Sequence, residues 1–318
     1  MKIHGVNGLI DTASLGPALV HEHVTCADWS MRMNFGNRFF EPGKMTEIAS
    51  VMFAKMKREC GITTVVDGTP VNLGRDVKLI RDVATRSGVN FIVSSGFYYQ
   101  EEPWLMFRQE DEIVDLLTHE CLNGIDDTGI LPGIMKSAVG DLGITPLIRK
   151  LLTAVARVAA KTGLPVFCHH TVSSKNGGTI LDIFERQGVP LNHVILGHSG
   201  DTDDLAYLEG MLKRGCYLGM DRFGYCDRTL SLQRRAAAIA VLCQKGYGHR
   251  LLLSHDLLAY GAFAGSWDDF KGSKPEEKYP DFTFIHKSVL PALLSAGITQ
   301  TEFGKMMEEN PRKFFEGI

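Results

Sequence analysis

Several features that mark other classes of protein are missing from this 318-residue sequence. The net charge of −3 provides no basic field for nucleic acid or for anionic lipid. No run of eighteen apolar residues could span a bilayer, and the opening segment contains Asp11 and several glycines, unlike a secretory signal. We therefore expect neither nucleic acid nor a membrane as a partner.

Paired cysteines and linkers are also missing. The seven cysteines are odd in number and contain no C-x-x-C pair, which argues against a disulfide framework and against a zinc ribbon. This usage favours a reducing cytoplasm. No low-complexity or Pro/Ser-rich segment divides the chain, so we expect a single domain over residues 1–318.

Short β-branched or apolar runs alternate with longer segments of helical periodicity, which is typical of βα units around a parallel sheet. Two helix candidates are 46–60 and 145–163, the second with Thr145 as N-cap, Pro146 at the first helical position and Gly163 at its end. The eight strand candidates are 18–23, 62–67, 90–96, 132–137, 165–170, 193–199, 216–221 and 251–256.

Eight strands, each followed by a helix, predict an α/β fold of the (β/α)8 TIM barrel type, which needs roughly 250 residues. The alternative is a doubly wound open sheet. That fold usually has a Gly-rich phosphate loop after its first strand, whereas this sequence has HEHVTC there. The barrel is therefore the preferred prediction.

Titratable residues collect at the carboxyl ends of the predicted strands, which converge on one rim of a barrel, where active sites form. Residues two apart on a strand share a face, so His21 and His23 can both point into the barrel while Glu22 points away. The other residues at strand ends are Asp67, Lys136, His169 or His170, His198, Asp221 and Asp256.

The H-x-H triplet alone is weak evidence for a metal, because a structural histidine pair would have the same sequence. The set is stronger, since His23, His169 and His198 end three different strands and Asp256 ends the eighth. Three histidines and a carboxylate suit Zn2+, with Mn2+, Co2+ or Fe2+ as alternatives.

Lys136 is unexpected inside a barrel, since an ammonium near metal ions would be repelled. A carboxylated lysine would present two oxygens able to bridge two ions. Judged from the residue alone, a solvent-facing or salt-bridged lysine is the better interpretation.

Motifs along the whole chain resemble the phosphotriesterase family of the amidohydrolase superfamily. They are HEH (21–23), GIMK (133–136), PVFCHHT (165–171), GHSGDTDDLAYL (197–208), GMDRFG (219–224), LLSHD (252–256) and ENPRKFF (309–315). The resemblance implies two divalent metal ions, one held by His21, His23 and Asp256 and a more exposed one held by His169 and His198. Lys136 would bridge them as N6-carboxylysine. His169 is chosen over His170 because an ungapped match counts four residues from Pro165.

The resemblance also implies a metal-bridging hydroxide as nucleophile, with Asp256 taking its proton and Arg222 and Asp201 forming a relay toward solvent. The last two could equally be a structural ion pair. Tyr98 and Tyr99 follow the third strand, and a Tyr98 hydroxyl near the metal could orient a lactone ring oxygen. Aromatic packing at the rim is the alternative for these tyrosines.

GMDRFG, LLSHD and the tyrosine after strand three are most similar to the phosphotriesterase-like lactonases. The segment 257–280, taken as the loop after strand eight, departs from their pattern; its Phe263, Trp267 and Phe270 could form an apolar wall or a dimer contact. We therefore expect a homodimeric lactonase that acts on a small-molecule ester or lactone, with promiscuous phosphotriester cleavage. Alternatives are a hydrolase of organophosphate triesters or other carboxylic esters and amides, and, remotely, a non-catalytic ligand-binding barrel.

Overall fold

The computed structural model of the chain describes residues 1–226, 229–262 and 281–318. Eleven strands lie in this part of the chain. They are β1 Lys2–Gly5, β2 Gly8–Asp11, β3 Ala18–Ala27, β4 Thr64–Asp67, β5 Asn90–Gly96, β6 Ile134–Val139, β7 Val166–His170, β8 Val194–Gly197, β9 Tyr217–Met220, β10 Leu251–Leu253 and β11 Leu258–Ala262.

The helices follow the strands on the outside of the sheet. They are α1 Trp29–Phe35, α2 Pro42–Cys60, α3 Val77–Ser87, α4 Pro103–Met106, α5 Glu110–Asn123, α6 Pro146–Thr162, α7 Gly177–Arg186, α8 Leu205–Leu212, α9 Leu232–Gln244, α10 Leu290–Ser295, α11 Gln300–Gly304 and α12 Asn310–Glu316. None of the helices within the described ranges is long and apolar enough to cross a membrane.

The strands β3 to β10 form one parallel sheet in chain order, and β11 joins it beside β3. This curled sheet confirms the predicted (β/α)8 barrel fold and all eight predicted strands. The helix prediction at 145–163 is also confirmed, since the Thr145 hydroxyl accepts a hydrogen bond from the amide of Ile148 and Gly163 ends α6 with a φ of 74°. Segment 257–280 is not only a loop, because β11 lies within it.

The barrel interior is filled by apolar residues from all eight strands β3 to β10. These side chains, together with residues near both chain ends, form a buried cluster separate from the larger core between strands and helices. They include Val20, Val66, Ile92, Ile134, Phe167, Ile195, Tyr217 and Leu252. Because they plug the interior, polar side chains further along the strands are held at the carboxyl rim.

Glu22 joins β3 to the segment that follows β10, at the point where the sheet closes. Its fully buried carboxylate accepts hydrogen bonds from the Ser254 hydroxyl (2.8 Å), from the backbone and ring of His255 (2.7 and 2.8 Å) and from the amide of Leu257 (2.9 Å). Directly alongside, the amide of Asp256 donates to the carbonyl of His21 at 3.1 Å. Glu22 therefore points away from the barrel interior, as predicted, and stabilises the closure.

We predict that Glu22→Ala lowers the free energy of unfolding by roughly 3 to 5 kcal/mol, because it leaves several buried donors without an acceptor. Urea unfolding monitored by circular dichroism measures the change. Glu47→Ala on the exposed face of α2 is the control and should stay within about 0.5 kcal/mol of the parent. Equal stability of both variants would contradict this role for Glu22.

Candidate metal centre

The structure brings all six metal-ligand candidates together at the carboxyl rim of the barrel. They come from five places in the sheet and are all buried, with exposed fractions between 1% and 7%. The six are His21 and His23 on β3, Lys136 on β6, His169 on β7, His198 directly after β8, and Asp256 between β10 and β11.

An irregularity in β3 lets His21 face inward directly after the inward-facing Val20. The pairing of β3 with β4 shifts in register between Leu19 and Glu22. Val20 lies in the apolar plug, yet the ring of the next residue, His21, packs against the inward-facing Phe167 with centroids 4.2 Å apart. A regular strand would place adjacent residues on opposite faces, so the shift is what brings His21 above the plug.

Two of the candidates are presented by left-handed backbone conformations. His198 has a φ of 62° and Asp256 a φ of 59°, a region that residues other than glycine rarely adopt. At both positions the chain turns off the strand while the side chain remains over the barrel mouth. Such strained residues are concentrated at functional sites, which supports a role beyond packing.

Ring nitrogens and carboxylate oxygens converge on two neighbouring points. Asp256 Oδ1 lies 3.5 Å from His21 Nε2 and 3.2 Å from His23 Nε2. His169 Nδ1 and His198 Nε2 lie 2.6 Å apart. His21, His198 and Asp256 also offer ligand atoms that all lie within 4.8 Å of one another, a spacing that could hold a metal ion.

The Nδ1 atoms of His21 and His23, which point away from the other ligand candidates, have partners that orient the two rings. His21 Nδ1 lies 2.9 Å from Asp221 Oδ2, and His23 Nδ1 lies 2.8 Å from the hydroxyl of Thr69. With Nδ1 of His21 protonated, its Nε2 lone pair faces the other ligand candidates, which is the usual tautomer of a metal-binding histidine. Burial, followed by the charge of Lys136, lowers the pKa of His21 to about 3, so this ring is neutral.

Lys136 is buried among these groups. Its Nζ lies 2.9 Å from His21 Nε2 and 4.2 Å from the centroid of the Phe167 ring, and it forms no ion pair with any described residue. Burial lowers the pKa of this amine to about 8. A salt-bridged or solvent-facing lysine, the alternative interpretation, does not match this position.

Gly68 leaves the room that His21 and Lys136 occupy. A Cβ at this position would lie 2.6 Å from the His21 ring and 3.1 Å from Lys136 Nζ.

The adjacent Asp67, one of the polar residues at strand ends, accepts hydrogen bonds from the amides of Val24 (2.7 Å) and Thr69 (3.0 Å). Asp67 therefore fixes Thr69, which in turn contacts His23.

The donor set fits a pair of divalent ions of the Zn2+ type. Imidazole nitrogens and a carboxylate converge, and the outer nitrogens of His21 and His23 are held by hydrogen bonds, as is usual for histidines that bind such ions.

His169 and the adjacent His170 face opposite sides of β7. His169 meets His198 at the barrel mouth, whereas His170 Nδ1 bonds to the carbonyl of Gly197 at 2.6 Å and its ring lies 6.3 Å from that of Tyr207. Burial lowers the pKa of His170 to about 4. The geometry therefore places His169 among the ligand candidates and His170 behind the sheet.

A chain of charged groups leads away from Asp256. Arg222 Nε donates to Asp256 Oδ2 and its Nη1 to Asp201 Oδ2, both at 3.0 Å. The fully buried Arg235 donates to the other Asp201 oxygen at 2.5 Å and to the carbonyl of Gly200 at 2.7 Å. Sequence reasoning missed Arg235, because it lies in the first turn of α9 with no motif around it.

Tyr98 and Tyr99 pack against each other with tilted rings beside His169. The centroids of the two rings are 4.2 Å apart, and they lie 5.2 and 5.3 Å from the His169 ring, respectively. Burial raises the pKa of Tyr98 well above its usual value, so its hydroxyl stays protonated at neutral pH. Tyr99 lines a cavity of about 350 Å³ that also contains His169, Asp201 and Arg222.

Phe263, Trp267 and Phe270, the candidates for an apolar wall or a dimer contact, lie outside the described residues.

A barrel that gathers such ligands beside an open cavity defines a class of protein, the barrel hydrolases that use metal ions. The sequence profile of the Phosphotriesterase family matches residues 1–315. A solved structure of the phosphotriesterase from Mycobacterium tuberculosis superposes with a TM-score of 0.90 at 33% identity, covering 99% of this chain and 98% of that one. The chain belongs to the phosphotriesterase family and is a hydrolase acting on ester bonds.

Two further relatives of this chain are named for different substrates. The aryldialkylphosphatase of Saccharolobus solfataricus is 28% identical, with 96% of each chain covered. The N-acetyltaurine hydrolase of Mus musculus is 26% identical, covering 98% of this chain and 97% of the relative. Both resemble this chain over its whole length, although one is named for a phosphoester and the other for an amide.

Asp221 holds two of the candidate ligands, since its Oδ1 also accepts a hydrogen bond from the amide of His198 at 2.6 Å. We predict that Asp221→Asn weakens metal binding by about 10- to 100-fold, because an amide cannot accept both contacts. Competition with a chelating dye measures the affinity. Asp203→Asn, which breaks only an exposed ion pair with Arg234, should bind metal normally. An unchanged affinity in Asp221→Asn would exclude this orienting role.

Proposed function

We propose that the protein is a binuclear metal-dependent lactonase with promiscuous phosphotriesterase activity. The observation that carries this proposal is the convergence of buried His, Asp and Lys side chains on the rim of the barrel, next to a cavity that contains the tyrosine Tyr99 and the arginine Arg222. A non-catalytic ligand-binding barrel would have no need for the charged chain that joins Asp256 to Asp201.

In this proposal His21, His23 and Asp256 would hold one divalent ion, and His169 and His198 would hold the other. Lys136, as N6-carboxylysine, would supply oxygen ligands to both; its buried amine, which has no ion-pair partner among the described residues, supports the modification. Zn2+ suits this ligand set, and Co2+, Mn2+ or Fe2+ are alternatives. When bound, the two ions would act as Lewis acids on the substrate oxygen and lower the pKa of a water molecule.

Asp256 is the proposed acceptor of the proton released by the attacking water. Its Oδ2 is held by Arg222, which also holds Asp201 at the edge of the cavity. A guanidinium group does not lose its proton in proteins. Arg222 would therefore act by aligning the two carboxylates, and a water molecule in the cavity that Asp201 lines would carry the proton from Asp256 toward Asp201 and solvent.

Tyr98 is the residue that favours a lactone. Its protonated hydroxyl could donate a hydrogen bond to a ring oxygen of a substrate next to His169. The alternative activities are hydrolysis of organophosphate triesters, which the aryldialkylphosphatase supports, and of other carboxylic esters or amides, which the N-acetyltaurine hydrolase supports. We further propose a single barrel domain over residues 1–318 that forms a homodimer in the cytoplasm.

The proposed carbamate predicts a specific behaviour of Lys136→Ala. Elemental analysis should find close to two metal equivalents per chain in the parent, while the variant loses metal and activity together. A short carboxylic acid should restore part of the activity, since it can replace the bridging oxygens. Lys44→Ala at the exposed start of α2 is the matched control. Parental metal content in Lys136→Ala would refute the bridge.

Substrate assays on metal-replete enzyme test the proposed activity. A panel of lactones, phosphotriesters and N-acyl amino acids should show the highest kcat/KM for a lactone. Tyr98→Phe should lower kcat/KM for this lactone by roughly 10- to 100-fold and affect phosphotriester cleavage less, because a phosphotriester has no ring oxygen to orient.

Tyr247→Phe, which removes a tyrosine hydroxyl after the end of α9, is the matched control for Tyr98→Phe and should leave both activities unchanged. Equal losses of Tyr98→Phe on both substrate classes would assign Tyr98 to packing. A parent enzyme without lactone hydrolysis would overturn the lactonase assignment and leave the membership of the hydrolase family unchanged.

A further inference from the structure

One wall of the cavity next to His169 is formed by the loops that follow β6 and β7. Asp141, Thr171 and Ser173 line this wall, and none of them belongs to the ligand cluster or to the Arg222 chain. We call Asp141 together with Thr171 the polar wall. Its position relative to the proposed metal centre is set by the sheet.

The pairing of β6 with β7 fixes that position. Ala138 lies opposite His169 and Val139 opposite His170, so the two strands end side by side. Asp141 comes two residues after the end of β6 and Thr171 directly after the end of β7. The Thr171 hydroxyl donates to Asp141 Oδ1 at 3.1 Å, which holds the carboxylate beside the cavity.

The charge of the polar wall is not balanced. The other carboxylate in the cavity, Asp201, is ion-paired with both Arg222 and Arg235. Asp141 forms no ion pair with any residue that the structure describes, and Thr171 engages only one of its oxygens. An exposed carboxylate oxygen that faces a substrate cavity favours a group that donates hydrogen bonds or carries positive charge.

Tyr99 and Val172 contribute aromatic and apolar surface to the same cavity, next to the polar groups of Asp141 and Thr171. The Tyr99 ring rests on Gly140, where a Cβ would come within 2.8 Å of it. A long alkyl chain placed along the polar wall would therefore remove Asp141 from water without offering it a partner.

Building on the lactonase activity proposed above, we propose that Asp141 determines specificity by binding a hydrogen-bond donor on the substrate. The preferred substrate is then a lactone whose substituent carries a hydroxyl or an ammonium group, in preference to an alkyl or carboxylate group. Thr171 is a positioning residue that acts through Asp141. The preference arises because a carboxylate accepts a donor, leaves an alkyl group unbonded and repels an anion.

Four lactones with one ring and substituents of equal length test this inference, the substituents ending in hydroxyl, ammonium, methyl or carboxylate. The parent should prefer the hydroxyl and ammonium compounds over the methyl compound by about 10-fold or more in kcat/KM. Asp141→Asn should lose most of the ammonium preference, keep part of the hydroxyl preference and accept the carboxylate compound better. These changes should appear mainly in KM, because the reacting groups are untouched.

Two further variants separate binding at the polar wall from a general structural effect. Asp82→Asn, on the exposed face of α3, removes the same charge elsewhere and should leave all four ratios unchanged. Thr171→Val should weaken the preferences by a smaller factor, and Thr171→Ser, which keeps the hydroxyl, should restore them. Metal content, measured in every variant, should equal that of the parent.

The outcomes distinguish this inference from the proposed function. A parent that cleaves the methyl lactone as well as the donor-bearing ones, or an Asp141→Asn variant with parental ratios, overturns the role of Asp141 while the lactonase stands. If no lactone is cleaved, the lactonase proposal fails. The same four substituents on the leaving group of a phosphotriester then test Asp141 directly, and equal rates on all four would overturn it.

Discussion

The contacts of Asp221 with two histidines are the interaction on which the arrangement of the candidate metal centre depends. This carboxylate is fully buried, and it joins the ring of His21 on β3 to the backbone of His198, which follows β8. A buried charge is tolerated only when its oxygens are well bonded, so the two histidines and Asp221 constrain one another. The left-handed turn at His198 and the inward orientation of His21 are both consistent with this constraint.

The same short segment of β3 serves the site and the fold. His21 and His23 face the barrel mouth, while Glu22 between them faces outward and accepts the hydrogen bonds that close the sheet beside Asp256. Stability and ligand geometry are therefore coupled through three consecutive residues. A change that loosens the closure would also shift Asp256, whose amide is bonded to the carbonyl of His21.

Polarity is distributed unevenly around the mouth of the barrel. On one side, Asp201 is neutralised by two arginines, one of them buried within α9. On the other, Asp141 lies at the edge of the cavity, and among the described residues a single hydroxyl contacts its carboxylate. The two ion pairs suit Asp201 to keeping one fixed position, whereas the less restrained Asp141 is suited to reversible contact with a ligand.

Much of the fold and the types of ligand were predictable from the sequence, because they depend on local patterns. The alternation of apolar runs and helical segments indicated eight βα units, and strand-end positions selected His23, His198 and Asp256. The sequence also suggested Lys136, but the decision between a solvent-exposed amine and a buried one required the packing of Phe167 against it.

What the sequence by itself determined is the order of strands and helices and the supply of histidines and carboxylates at one rim, since periodicity and strand ends are local properties. Only the tertiary structure decided which neighbour faces inward, because that depends on register. The shift in β3 turns His21 toward the plug, and the pairing of β7 separates His169 from His170. The contacts of Asp221, Arg235 and Asp141 join residues distant in the chain, so folding alone brings their partners within hydrogen-bonding distance.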